Sequence, residues 1–252
     1  SDPRLWEMGP YLLTVADTNQ HRIRALARYF CARKMKKAAV LVDETLILSH
    51  SYSQTFLRAF EEAGGEVVAV IPYTGTTRDF RSQVAEIRKR SPDFVFLCDY
   101  RVAKVIMLEQ ELDRVGYHLP VATQVALFAP GLGPYRDIFT SSYFHPDAPD
   151  ATVKKFVADY RQAFGLEYPS HVPASSYDAL KVAALALEQA GTDRKSVNAY
   201  LTSIGDSRPP YQGVTGRFGL GRRLELRAAY LVEVKQGRFE LISVDEARGA
   251  TD

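Results

Sequence analysis

Cysteine is nearly absent: two residues in 252, beside a single tryptophan and three methionines. Two cysteines cannot staple a small disulfide scaffold. Cys31 falls late in a helical segment and Cys98 at the end of a strand, so both are expected as free, buried thiols, and cysteine use leaves the compartment open. Metal-ligand spacing is also missing. None of His21, His50, His118, His145 and His171 pairs with another His, Cys or Asp as a metal site requires, so no metal is expected. No apolar run reaches the ~18 residues of a membrane-spanning helix. No signal peptide is visible at Ser1, as expected of a mature, processed or cut chain. Charge of one sign does not dominate: 32 Lys and Arg stand against 30 Asp and Glu, a formal net charge of +2. The basic runs at Arg33–Lys37 and Arg217–Arg227 read as solvated helix ends and turns rather than a nucleic-acid surface.

The signatures of catalysis are missing too. There is no Gly-x-Ser-x-Gly elbow. Gly131-Leu132-Gly133-Pro134 has no Lys-Ser/Thr sequel and opens no helix after a strand, so it is not a phosphate loop. The paired Glu61-Glu62 sits on a helix and is expected to face solvent. An enzyme has little support, and no cofactor is implied.

What is present is alternation. Apolar runs at Ala38–Val42, Val67–Ile71 and Phe94–Leu97 read as strands buried on both faces of a parallel sheet. Helical patterns lie between and around them, at Asn19–Arg33, Ser49–Ala63, Asp79–Lys89 and Ala103–Val115, with Gly64-Gly65 and Gly116 as stop signals. A short strand is expected at Tyr11–Val15 and another begins at Val121-Ala122. This order predicts an α/β doubly wound sheet. Near Ser142–Pro146 the character changes. Helices follow from Ala151, Ser176 and Arg194, then extended segments at Gly213–Phe218, Ala228–Val234 and Phe239–Val244. Lys235 to Arg238 reads as a hairpin turn. Ser175 and Ser176 are placed as helix caps, with Tyr177, Leu180, Ala184 and Leu187 on one helix face, and Asp178 near the helix start. Two lobes between which the chain crosses more than once explain this order.

Several segments carry a resemblance to a known family. Asp79-Phe80-Arg81-Ser82-Gln83 with Ser91-Pro92-Asp93-Phe94-Val95-Phe96-Leu97 resembles type I periplasmic solute-binding proteins of the branched-chain amino acid (Leu/Ile/Val) class of ABC transporters. So do Glu61 to Val68, Phe144 to Pro149, Phe156 to Tyr160, Ser176 to Ala179, Ala190-Gly191, Tyr211 to Phe218 and Gly237-Arg238-Phe239. Each piece is weak alone; their shared order covers nearly the whole chain. The resemblance implies the two-lobed type I periplasmic-binding-protein fold, with doubly wound parallel sheets and one lobe incomplete. Ser1 to Leu5 resembles the middle of the first lobe, so the first βαβ units of that lobe are expected to be missing. The implied division is residues 1–16 as the end of the N-terminal half of lobe 1 and the crossover, 17–145 as lobe 2, 146–222 as the C-terminal part of lobe 1, and 223–252 as strands returning to lobe 2.

The resemblance further implies an extracytoplasmic or periplasmic solute-binding component of an ABC importer. It would take a small amino acid, amide or organic acid in an interlobe cleft, without catalysis. Its partners would be that ligand and an ABC permease, with no nucleic acid and a membrane only through the permease or a lipid anchor outside this chain. The alternative is a ligand-sensing domain of a receptor or transcription regulator with the same fold. In a parallel lobe the ligand groups belong at the carboxyl ends of the strands. The candidates there are Ser49, which either caps its helix or touches ligand, Tyr100, Arg101, Gln124 and Val125. Gln124 and Val125 occupy the positions where amino-acid binders of the family carry an acid for the ligand amine. Their neutrality points away from an ordinary amino-acid pocket. Ser1 matches a hydroxyl position that grips the ligand carboxylate.

Overall fold

The computed structural model describes residues 9–17, 19–125, 132, 134–220, 227–235 and 238–245. Ser1, Gly131, Gly133 and the centre of the expected turn at 236–237 lie outside them. The chain divides into two units: 1–18, 142–230 and 244–252 form one, and 19–141 with 231–243 form the other.

The larger unit is built on a seven-stranded sheet ordered β2-β1-β3-β4-β5-β8-β9. Its strands are β1 (Lys37–Asp43), β2 (Glu66–Tyr73), β3 (Phe94–Cys98), β4 (Val121–Ala122), β5 (Arg136–Ser142), β8 (Ala229–Lys235) and β9 (Arg238–Asp245). The pairs β1–β2, β1–β3, β3–β4 and β4–β5 are all parallel. Among the described residues four helices belong to this unit: α1 (Gln20–Ala32), α2 (Ile47–Glu62), α3 (Arg81–Arg90) and α4 (Val102–Arg114).

Residue alternation decides what each face of the sheet packs against. In β3, Val95 and Leu97 join a cluster with Val84 and Ile87 of α3 and Val105, Leu108 and Leu112 of α4. Phe94 and Phe96, one residue out of phase, point to α1 and α2. Phe94 stacks on Phe30 of α1 at 3.9 Å, and Phe96 on Phe56 of α2 at 4.3 Å. Phe139 of β5 meets Phe30 edge-on at 5.2 Å. Offset and edge-on ring pairs add about 0.5–1.5 kcal/mol each beyond the area they bury. A strand buried on both faces has no polar phase, which is why these runs read as continuously apolar.

β5 has no such run and is not among the expected strands. Its second half, Thr140-Ser141-Ser142, is polar yet buried. The hydroxyls are satisfied locally: Thr140 donates to the Val125 carbonyl at 2.8 Å, and Ser142 accepts from the Phe144 amide at 3.2 Å. Tyr11–Val15, expected as a strand, is turn and irregular chain, and no described strand pairs with it. Cys31 and Cys98 are both free and buried.

The second unit holds α5 (Ala151–Phe164), α6 (His171–Ala190), α7 (Arg194–Ser203) and the antiparallel hairpin of β6 (Tyr211–Gly213) and β7 (Gly216–Phe218). All three helices have side-chain caps: Asp150 accepts from Thr152 N–H, Ser170 from Val172 N–H and Asp193 from Ser196 N–H. The expected caps Ser175 and Ser176 instead lie inside α6, where both hydroxyls donate to the Val172 carbonyl. Pro173 falls in the first turn of α6, where its missing N–H has no helical partner to lose, so the helix starts before it. The face carrying Tyr177, Leu180, Ala184 and Leu187 is exposed, Leu180 at 71%. The face packed inward is Ala174, Asp178, Val182 and Ala186.

Candidate functional site

The carboxyl ends of β1, β2 and β3 bring three polar side chains together. Asp43 ends β1, Tyr73 ends β2 and Asp99 follows β3; both aspartates are fully buried. A buried carboxylate is costly unless its oxygens are hydrogen-bonded and its charge is met. Here both conditions hold. Asp99 accepts from the Tyr73 hydroxyl at 2.5 Å and from the backbone N–H groups of Tyr100 and Arg101 at 2.8 and 2.9 Å. The Arg101 guanidinium binds it through Nε at 2.8 Å and through Nη2. The same Nη2 reaches Asp43 at 2.5 Å. Asp43 also accepts the Thr45 hydroxyl at 2.6 Å and the Thr45 N–H at 2.9 Å. Burial alone would raise the Asp43 carboxyl; the bonds from Thr45 and Arg101 outweigh it and hold its pKa below the usual carboxylate value. The Tyr73 hydroxyl is pushed far up by burial and by the adjacent Asp99.

Lys104 extends this network. Its ammonium donates to the carbonyls of Gly75 and Thr77 at 3.1 and 2.7 Å, fixing the loop after β2. Burial, and then the Arg101 charge, depress its pKa. Every carboxylate oxygen here is already engaged, so the cluster offers no open base or nucleophile. What remains available is Tyr100, 46% exposed, and Arg101, whose side chain is 31% exposed and whose Nη1 has no hydrogen bond among the described residues.

The other candidate residues take different positions. Ser49 is buried in the first turn of α2, where its hydroxyl accepts the Asp43 N–H at 2.8 Å. It does not cap the helix; the N-cap is Leu46, without a side-chain cap bond. Gln124 is buried after β4. Its amide donates to Ser141 Oγ at 3.1 Å, and its carbonyl accepts from Arg22 of α1 at 3.1 Å. Arg22 in turn donates to the Ser141 carbonyl at 2.6 Å. Val125 is in the apolar cluster under α3 and α4. The structure therefore brings Ser49 and Arg101 to one network through Asp43, sets Tyr100 at its edge, and places Gln124 in a separate network with Arg22. Ser1 lies outside the described residues.

Sequence reasoning missed the Asp43–Arg101–Asp99–Tyr73 linkage. The available signal was polar residues closing otherwise apolar strands, which in a parallel sheet fall at one edge.

In the second unit, Asp178 sits in the third turn of α6 rather than near its start. It accepts from the N–H groups of Val214 and Thr215 at 2.8 and 2.9 Å and from the Thr215 hydroxyl at 2.6 Å. It therefore holds the β6–β7 turn and interacts with no helix dipole end. A side chain at Gly213 would place Cβ 2.4 Å from that carboxylate, so only glycine fits. Arg227 donates to Thr215 Oγ1 at 3.1 Å and lies over the Phe218 ring at 4.3 Å. Among the described residues no three His, Cys, Asp or Glu side chains are grouped to hold a metal ion, and no helix is long and apolar enough to cross a membrane.

A family model described as periplasmic binding protein matches residues 1–238. No match is found among curated proteins. Similar solved structures include a leucine-binding protein from Thermotoga maritima, 20% identical with a TM-score of 0.84, covering 97% of this chain and 71% of that one. A putative branched-chain amino acid ABC transporter protein from Rhodospirillum rubrum is 26% identical with a TM-score of 0.76, covering 96% of this chain and 70% of that one. An ABC-transporter solute-binding protein from Rhodopseudomonas palustris, solved with p-hydroxybenzoic acid, is 17% identical with a TM-score of 0.80, covering 96% of this chain and 68% of that one. The chain belongs to the periplasmic binding protein family, with the α/β fold of its branched-chain amino acid class.

Proposed function

We propose that the chain is the solute-binding component of an ABC importer, working outside the cytoplasm and delivering a small amino acid, amide or organic acid to a membrane permease. The match to the family over residues 1–238 carries this reading. The larger unit adds a physical argument. Its strand-end carboxylates, Asp43 and Asp99, are spent on internal hydrogen bonds, which suits a structural frame for holding a solute rather than general-base or nucleophilic work by these two groups. Tyr100 supplies an exposed ring for an apolar or aromatic ligand wall, and Arg101 Nη1 a donor for a ligand oxygen. Ser49, Gln124 and Val125 act behind them, fixing the backbone at the ends of β1 and β4. Ser1 is retained as a hydroxyl partner for a ligand carboxylate on the strength of the resemblance alone.

The ligand class is drawn from two sources. Similar structures are a leucine-binding protein and one solved with p-hydroxybenzoic acid. The neutral Gln124 and Val125 favour a ligand without an amine held at that point, so aromatic and aliphatic acids and amides belong in the panel beside amino acids. Thermal-shift screening of that panel tests the reading: one ligand class should raise the melting temperature saturably. A flat response to the whole panel, in an assay where an established binding protein responds to its own ligand, contradicts it.

A further inference from the structure

At the opposite edge of the larger unit's sheet, the last turns of α4 and the start of β5 line a partly open pocket of ≈ 260 Å³. Glu109 of α4 lines it. The residue is 8% exposed, and its Oε1 is buried with no hydrogen-bond partner. Buried polar atoms are nearly always bonded, and an unmet carboxyl oxygen costs free energy that a native fold seldom leaves standing. The surrounding charges deepen the anomaly. Asp113 on α4 and Asp137 on β5 line the same cavity. The basic groups facing it are His118, whose Nδ1 is 3.5 Å from Asp113 Oδ1, and Arg136, which forms no ion pair among the described residues. Tyr135 completes the polar lining. Burial first, then the charges of Asp113 and Asp137, push the Glu109 carboxyl up to about 8.

A cation would resolve this arrangement. A metal ion is excluded by geometry, since no three acidic or histidine side chains here are grouped closely enough to hold one. An ammonium group needs less: three N–H donors spread over two or three carboxylates, at hydrogen-bond rather than coordination distances. The volume suits a molecule of a few non-hydrogen atoms, below the ~300 Å³ at which drug-sized pockets begin. We infer that this cavity is a second small-molecule site, taking a small organic ammonium compound whose charged nitrogen pairs with Glu109. The inference rests on the larger unit alone and stands whether or not the importer reading holds.

The test is a thermal-shift titration of the whole chain with propylammonium chloride against sodium chloride at matched ionic strength, at about pH 6.5 and about pH 8.8. The amine keeps its charge at both; Glu109 is ionised only at the higher. The expected result is a saturable rise in melting temperature at the higher pH, with apparent affinity on the order of tenfold weaker at the lower. Glu109→Gln should abolish the rise. His118 lines the same pocket beside Asp113, so His118→Gln is the control: the pH dependence should survive it. No saturable rise at either pH, an equal rise in Glu109→Gln, or loss of the pH dependence in His118→Gln overturns the assignment. The pH comparison is made on the unaltered chain, so it decides even where Glu109→Gln does not fold.

Discussion

The Tyr73 hydroxyl donates to Asp99 across 2.5 Å although β2 and β3 lie on opposite sides of β1. The bond therefore bridges over the end of β1, where Asp43 sits, and Arg101 joins the two carboxylates beneath it. Three strand ends are locked by four side chains. Removing one donor from a buried carboxylate costs about 1–3 kcal/mol. Tyr73→Phe should lower unfolding stability by that amount in urea titration without changing the slope of the transition.

Among the described residues Arg101 makes the only cationic bond to either aspartate. Arg101→Ala leaves two buried carboxylates unmet by charge and should cost about 3 kcal/mol, toward the low end for a broken buried pair because the guanidinium is partly exposed. Arg101→Lys retains charge but not the forked geometry, so chemical denaturation should place it between wild type and the alanine variant.

The acid limb of the stability profile should carry Asp43. Its folded pKa lies below the unfolded value, so its contribution is present above the ordinary aspartate value and is lost as pH falls through the lowered one. Asp43→Asn should be less stable than wild type at neutral pH, and the gap should close as the solution is acidified.

Glu109 has the opposite sign. Its folded pKa is raised to about 8, so the native state binds the proton more tightly than the unfolded chain. That contribution is fully present below the unfolded value near ~4.3 and is lost as pH rises through about 8. Glu109→Gln, with no amine present, should therefore gain stability relative to wild type above pH 8, by on the order of a few kcal/mol. Equal pH profiles for the two chains would refute the buried, unpaired carboxyl.

Gly213→Ala tests the smaller hairpin. The added Cβ falls 2.4 Å from the Asp178 carboxylate, which also holds Val214 and Thr215. Destabilisation of about 1–3 kcal/mol is expected in thermal or urea unfolding.

Much of the fold is legible in the sequence because burial writes itself as pattern. Phe94 to Leu97 is apolar without interruption because both faces of β3 are covered, and glycine marks the end of α2 because Gly64 takes a positive φ of 83°. The pattern fails where polar groups are buried in matched pairs. Thr140 to Ser142 carry no strand pattern, because nothing in the sequence reveals that Val125 accepts from Thr140 and Gln124 donates to Ser141. On α6 the bulky apolar residues lie on the exposed side, while alanines and Asp178 pack inward, so residue size pointed to the wrong face. The candidate site was legible as a location, the carboxyl edge of the strands, but not as a network. Arg101 and Asp43 are 58 residues apart, and only the parallel register of β1 with β3 brings them together.

Under the proposed function, a small solute binds reversibly at the carboxyl edge of the larger unit, without chemical change. Isothermal titration with whichever panel ligand stabilises the chain tests it most directly, on wild type and on Tyr100→Ala. Loss of a stacked aromatic contact is worth about 1–1.5 kcal/mol, on the order of tenfold in affinity. Wild type should bind saturably, Tyr100→Ala about tenfold more weakly, and the ligand should be recovered intact. Unchanged affinity in the variant, or heat that continues after saturation as the ligand is consumed, would contradict it.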